Sequence, residues 1–235
     1  MINYAHRGAS QYAPENTLSA FYLGLLQGAN GIETDVHRTK DGALVLFHDE
    51  TVDRVSNGSG KLSDLTLCEL KKLKIFGNAK NGFYDRIPTL NEFLEKFHQY
   101  DISFAIELKG AGVEEETLLL VKKYGMLEKT TFTSFNYGYI KKIRQLDQSA
   151  RIGWLTAKTD DAALERLIDI NGNEIDPKAE TITQSTVEKF RKHGLTVRAW
   201  GVYDTDLMKK MCRLQVDGMT VNFPDKLFDY LGGRY

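Results

Sequence analysis

Ile2-Asn3-Tyr4-Ala5-His6-Arg7 is a short, mainly apolar run that ends at a histidine and an arginine. The same arrangement returns in Gly31-Ile32-Glu33-Thr34-Asp35 and in the run Ile102 to Leu108, which carries Glu107 and is followed by Lys109. A residue ending a buried β-strand points into the cleft that the strand ends surround. Three separated strands therefore deliver His, Arg, Lys and three carboxylates to one place. The mixture suits a cation and a phosphate: carboxylates bind a hard divalent ion through oxygen, Arg and Lys neutralise phosphate oxygens, and His moves protons near neutral pH.

Working outward, short Val/Ile/Phe-rich runs alternate with segments of helical period along the chain. Strands are expected near Ile2–Ala5, Gly31–Asp35, Ile102–Leu108, Thr130–Ser134, Arg151–Leu155, Asn173–Asp176, Thr196–Trp200 and Gly218–Val221. Helices are expected near 15–28, 90–98, 114–124, 137–147, 161–170, 184–193, 205–213 and 225–231. Thr89 with Glu92 has capping-box form, Asp204 precedes an amphipathic turn, Pro14 suits a helix entrance, and Gly125 and Gly194 mark stops. Eight strand–helix pairs imply an α/β fold, a closed (β/α)8 barrel in one domain spanning residues 1–235. One segment breaks the alternation. After the turn Lys40-Asp41-Gly42 come a further strand, Ala43–Phe47, loop at Asn57–Gly60, helical spacing over Leu65–Leu73 and loop again at Asn78–Gly82, so 41–88 reads as an insertion after the second strand. Loops that follow barrel strands lie on the catalytic face, which places this insertion over the site.

Composition narrows the function classes. The 235 residues carry 31 Lys plus Arg against 32 Asp plus Glu, a net charge near −1, so no basic surplus draws the chain to nucleic acid or an anionic membrane. Cys68 and Cys212 lie far apart, without disulfide or zinc spacing, and are expected as packed thiols. No apolar run of about 18 residues appears and the N-terminus enters a strand at once, so a soluble cytoplasmic protein is expected. The sequence leaves the oligomeric state open.

Ala5-His6-Arg7-Gly8, Pro14-Glu15-Asn16-Thr17, Ile32-Glu33-Thr34-Asp35-Val36, Phe47-His48-Asp49 and Ile106-Glu107-Leu108-Lys109 together resemble the glycerophosphodiester phosphodiesterase family. The likeness runs on through Asp64-Leu65-Thr66-Leu67, Ile87-Pro88-Thr89-Leu90, Ser134-Phe135, Trp200 and Val216-Asp217-Gly218 to Asn222-Phe223-Pro224-Asp225, nearly the whole chain. The resemblance implies a TIM barrel and hydrolysis of glycerophosphodiesters to glycerol 3-phosphate and an alcohol, with one divalent metal ion, Mg2+ or Ca2+. Glu33, Asp35 and Glu107 match its metal ligands, and His6 and His48 its acid–base pair. Two histidines suit an in-line displacement, because attack and departure occur on opposite sides of phosphorus. Whether water or the neighbouring glycerol hydroxyl attacks is left open, as is which histidine is the base.

Arg7 and Lys109 would hold phosphate oxygens, the first as a planar fork and the second as a point charge; the blander reading makes them ion-pair partners of Glu33 or Glu107. Glu15, in the box after the first strand and counted with the substrate-binding residues, would steady Arg7 or a metal-bound water. Phe135 and Trp200, at strand ends, would wall the substrate's carbons or belong to the core. After Trp200, Gly201-Val202-Tyr203 departs from the Thr-Val-Asn of many relatives, which puts the shape of that wall in question. His37, His98 and His193 match no motif position and are read as structural or exposed. Rival readings are a lysophospholipase D, a polymer-directed phosphodiesterase, and a non-catalytic barrel that only binds. The last would need a missing member of the catalytic set, and none is missing.

Overall fold

The computed structural model describes residues 1–77 and 83–233; the expected loop Asn78–Gly82, with its Lys80, lies outside the described residues. The strands are β1 (Ile2–His6), β2 (Gly31–Arg38), β3 (Leu44–Leu46), β4 (Ile75–Phe76), β5 (Tyr84–Asp85), β6 (Ser103–Leu108), β7 (Thr130–Ser134), β8 (Arg151–Thr156), β9 (Glu174–Pro177), β10 (Thr196–Val202) and β11 (Gly218–Val221). β1, β2 and β6 to β11 pair in parallel around a ring, which β1 closes by pairing with both β2 and β11. Each is followed by a helix on the outside, from Leu18–Leu26 after β1 to Pro224–Tyr230 after β11. The chain is a (β/α)8 TIM barrel.

Strand period explains both faces. On β2 and β6, Ile32, Val36, Phe104 and Ile106 point outward and are buried against helix residues such as Phe93, Phe97, Leu118 and Val121. Each such side chain contributes roughly 1.5–3 kcal/mol through removal from water. Inward positions carry Glu33, Asp35 and Glu107 instead. Deeper in the barrel the filling is also polar: Arg198 Nε lies 2.9 Å from Glu174 and its Nη2 3.0 Å from Asp176, all three buried. Gly153 makes room for this cluster, since a Cβ there would stand 2.8 Å from Asp176 Oδ2. Burial and the nearby Glu174 raise the Asp176 carboxyl well above its usual range, against the lowering pull of the Arg198 guanidinium.

The 41–88 insertion builds a small core of its own from Val45, Phe47, Val52, Val55, Leu62, Leu70, Ile75 and Ile87. β3 runs antiparallel to β2, and the backbone N–H of Phe47 donates to the Asp35 carbonyl at 3.1 Å, so the insertion leaves the barrel at its carboxyl end. The helical spacing over Leu65–Leu73 yields one short helix, Leu67–Leu70, capped by a reciprocal Thr66–Glu69 box; β4 then pairs with β5 and ends it. Thr89 and Glu92 form the expected box as well. The first helix differs from expectation. It starts at Leu18 with Thr17 as N-cap, because Glu15 and Asn16 are committed elsewhere and Asn16 sits at φ 56°. Cys68 is exposed and Cys212 half-buried, so only the second comes near a packed thiol.

Candidate active site

Glu33 and Asp35 point inward from one strand, and the register of β2 with β6 sets Asp35 beside Glu107. One carboxylate oxygen from each of the three residues lies within 4.8 Å of the other two, and all three are buried. Three negative charges so placed repel. Burial and Asp35 push Glu33 up to about 8, and burial, again with Asp35, pushes Glu107 up to about 7. Burial opposes the charge on Asp35 too, but Lys109 and Arg7 hold it below its ordinary range. Asn16 fixes its orientation: Nδ2 donates to Asp35 Oδ2 at 2.8 Å, while Oδ1 accepts from Thr34 Oγ1 at 2.8 Å. Asp35 Oδ1 is buried and has no hydrogen-bond partner among the described residues, with the Lys109 ammonium 3.2 Å away. A buried, oxygen-only trio with an unsatisfied carboxylate oxygen fits a hard divalent cation.

The cationic side is built from the turn after β1. Arg7 (φ 57°) and Gly8 (φ 81°) are both left-handed, which breaks the strand, and a Cβ on Gly8 would meet the Ala20 carbonyl carbon at 2.4 Å. The Arg7 backbone N–H donates to both the carbonyl and the Oε2 of Glu33, each at 3.0 Å. Its guanidinium reaches Glu15 Oε1 at 2.9 Å and Asp35 Oδ2 at 3.3 Å. Lys109 lies 2.8 Å from Glu107 Oε1; burial would lower its pKa, but Asp35 and Glu107 raise it to about 12. The ion-pair reading thus holds for Lys109 with Glu107, whereas the Arg7 guanidinium pairs with Glu15 and Asp35 instead of Glu33 or Glu107; both side chains also line the open cavity.

His6 Nδ1 lies 2.6 Å from Asn222 Oδ1, an oxygen that only accepts, so Nδ1 carries the proton and Nε2 keeps its lone pair, 4.0 Å from Glu33 Oε2. Burial, then Arg7, lowers the His6 pKa to about 3. His48, from the insertion, donates Nδ1–H to Asp49 Oδ1 at 2.6 Å, and its pKa is lowered by burial. Asp49 Oδ2 in turn accepts from Arg54 Nε at 2.6 Å. His37 is buried and bonded to the His48 carbonyl at 3.1 Å, while His98 and His193 bond backbone carbonyls of their own helices.

These groups meet in a cavity of about 260 Å³ at the carboxyl end of the barrel, bordered by His6, Arg7, Glu33, His48, Glu107 and Lys109. Phe135 and Trp200 face them, their rings edge to face at 5.0 Å, with Tyr203 beside them and Arg198, Thr133 and Thr220 also lining the cavity. Glu15 is not part of the wall: its carboxylate is taken up by Arg7 and Arg54. Sequence reading gave no role to Asn16, Asp49, Arg54, Arg198, Tyr203 or Asn222. Asn222 had a signal, since it directly follows β11 as the other site residues follow their strands; Arg54 had none, being an arginine in a loop without period.

A family model described as the glycerophosphoryl diester phosphodiesterase family matches residues 6–226. A protein of Caldanaerobacter subterraneus subsp. tengcongensis named glycerophosphodiester phosphodiesterase is 35% identical over 233 residues, covering 96% of this chain and 95% of that protein. A Bacillus subtilis protein of the same name is 32% identical over 250 residues, covering 96% and 84%. Among solved structures, an Oleispira antarctica phosphodiesterase in complex with the product sn-glycerol-3-phosphate superposes with a TM-score of 0.90 at 30% identity, covering 99% of this chain and 97% of that one.

Proposed function

Since the chain belongs to the glycerophosphoryl diester phosphodiesterase family, and so is a phosphoric diester hydrolase, we propose that it hydrolyses glycerophosphodiesters to glycerol 3-phosphate and an alcohol with the help of one divalent metal ion. The observation that carries this reading is the convergence of Glu33, Glu107, Arg7, Lys109, His6 and His48 on one cavity at the carboxyl end of the barrel, with the buried Asp35 joining Glu33 and Glu107 in one carboxylate cluster. Glu33, Asp35 and Glu107 would hold the ion, and an oxygen-only set suits Mg2+ or Ca2+. Bound there, the ion supplies positive charge for the phosphate oxygens.

Arg7 offers the phosphate a planar fork and Lys109 a compact charge, both already oriented by carboxylates. His6, kept neutral and with Nε2 free to accept, takes the proton of the attacking hydroxyl. His48, when protonated at Nε2 as well, with the imidazolium charge balanced by the Asp49 carboxylate, gives its Nε2 proton to the departing alkoxide and is left neutral. Phe135 and Trp200 wall off the carbons of the substrate from water. The setting this implies is cytoplasmic salvage of phosphate, glycerol and amines from deacylated lipids.

The test is a hydrolysis panel of glycerophosphocholine, glycerophosphoethanolamine, glycerophosphoglycerol, glycerophosphoinositol and a lysophospholipid, with Mg2+ or Ca2+ supplied in turn. Release of glycerol 3-phosphate from the water-soluble diesters is expected. Turnover of the lysophospholipid alone would replace this reading with the lysophospholipase D.

A further inference from the structure

Among the described residues Arg54 pairs only with Asp49 and Glu15 and does not line the cavity, yet through them it reaches both halves of the site. Nε donates to Asp49 Oδ2 at 2.6 Å, while Nη1 and Nη2 donate to Glu15 Oε2 and Oε1 at 3.0 and 2.7 Å. Asp49 orients the His48 ring through its other oxygen, and Glu15 Oε1 also receives Arg7 Nη1. One guanidinium thus joins two carboxylates, one behind a histidine and one behind an arginine. The two carboxylates come from different parts of the chain: Glu15 from the turn before the first helix, and Asp49, like Arg54, from the insertion.

We propose that Arg54 is a positioning residue that sets the His48 ring and the Arg7 guanidinium together, so that the insertion ties the proton-moving side of the site to its phosphate-binding side. The geometry is specific to a guanidinium. A planar fork presents Nε–H to one carboxylate and two parallel N–H groups to another, whereas an ammonium is a single point. Without it, Asp49 can turn away from His48, and Glu15 can follow Arg7 out of line. The proposal rests on the hydrolytic reading above, and its test separates the two.

The test uses the full chain and the variants Arg54→Met, Arg54→Lys, Asp49→Asn and Glu15→Gln. Two quantities are measured on each: the ratio of kcat/KM for glycerophosphocholine to that for a glycerophospho-p-nitrophenyl ester, which reports on proton delivery, and competitive inhibition by inorganic phosphate, which reports on Arg7. Asp49→Asn is expected to move the first alone and Glu15→Gln the second alone. Arg54→Met should move both, each by about 10–100-fold, the range seen when a partner behind a ligand-orienting group is lost. Arg54→Lys should recover at most one of the two.

An Arg54→Met enzyme within twofold of the parent, or shifted in one quantity only, overturns the proposal. Should Arg54→Met fail to fold by circular dichroism, Arg54→Lys carries the same test, and full recovery of both quantities overturns it. If the parent hydrolyses no glycerophosphodiester, the functional reading falls and two other readouts decide: the NMR resonance of the His48 Nδ1 proton and calorimetric binding of inorganic phosphate. Changes in both for Arg54→Met uphold the coupling, and the absence of either overturns it.

Discussion

Replacing Lys109 with Met separates the two uses of its charge. The ammonium lies 2.8 Å from Glu107 Oε1 and 3.2 Å from Asp35 Oδ1, and the side chain is 14% exposed, so water screens it little. A charge pair near 3 Å at an effective dielectric of about 20 has a gross attraction on the order of 5 kcal/mol. Much of that is offset by desolvation of the partners, and its sign matters more than its size. Removing the ammonium frees both carboxylates for a divalent ion, so the half-saturating metal concentration should fall or stay level. The phosphate, in contrast, loses a preorganised charge in a water-poor cleft, which stabilises a transition-state oxygen by about 3–4 kcal/mol. At 1.4 kcal/mol per tenfold, kcat/KM should drop by about 10²–10³. Lys109→Arg should restore it only in part, since a broad fork does not fit where a compact ammonium sat. The assay is kcat/KM on glycerophosphocholine across a metal titration. Recovery of the parent value at saturating metal would refute the argument and leave Lys109 as a partner of the metal carboxylates alone.

Three further outcomes are expected. Chelation, and separately Glu107→Ala, should abolish turnover with the far-ultraviolet circular dichroism unchanged, and full activity in excess EDTA would remove the metal from the reading. His6→Ala and His48→Ala should each lower kcat on glycerophosphocholine by about 10²–10⁴; the p-nitrophenyl ester, whose leaving group departs unprotonated, should rescue His48→Ala and not His6→Ala, and equal rescue of both would reject the assigned roles. Glu33 and Glu107 titrate in the folded protein near 8 and 7, above their ordinary value of 4.5, so the folded state keeps protons that the unfolded state releases. Their contribution to stability is therefore greatest below about pH 4.5 and is lost as pH rises through 7 to 8. The melting temperature of the chelated protein should decline across that window, added Mg2+ or Ca2+ should raise it more at pH 8 than at pH 5.5, and Glu33→Gln should flatten the decline; a metal-induced rise that shrinks with pH would contradict the assignment.

The barrel was legible because its signal is local. Each expected strand lies within three residues of its observed ends, since outward Ile, Val and Phe alternate with inward polar groups. The placement of the candidate site residues was legible for a related reason: Glu33, Asp35, Glu107 and Trp200 sit on strands, and His6, Arg7, Lys109 and Phe135 stand at or next to strand ends. What stayed hidden depends on contacts between distant segments. Arg54 is meaningful only through Asp49 and Glu15, and Asn222 only through His6. Local propensity failed where the site overrode it. Pro14 suggested a helix entrance, but Asn16 has to reach Asp35 with a left-handed backbone, and the helix waits until Leu18.

The His6–Asn222 hydrogen bond joins residues 216 positions apart, and β1 completes the ring only when it pairs with β11. At the usual pace of translation, roughly 5–20 residues per second, about 10–40 s pass between the synthesis of the first histidine and that of its partner. During that interval a growing chain carries the carboxylate trio, Arg7, Lys109 and His48 without a closed barrel or a fixed His6 tautomer. If His6 acts as proposed, hydrolytic competence arrives late, with β11. On the proposed role of His6, a chain stalled or cleaved before residue 222 is expected to be inert toward diesters, so that activity would double as a report that synthesis has run past that point.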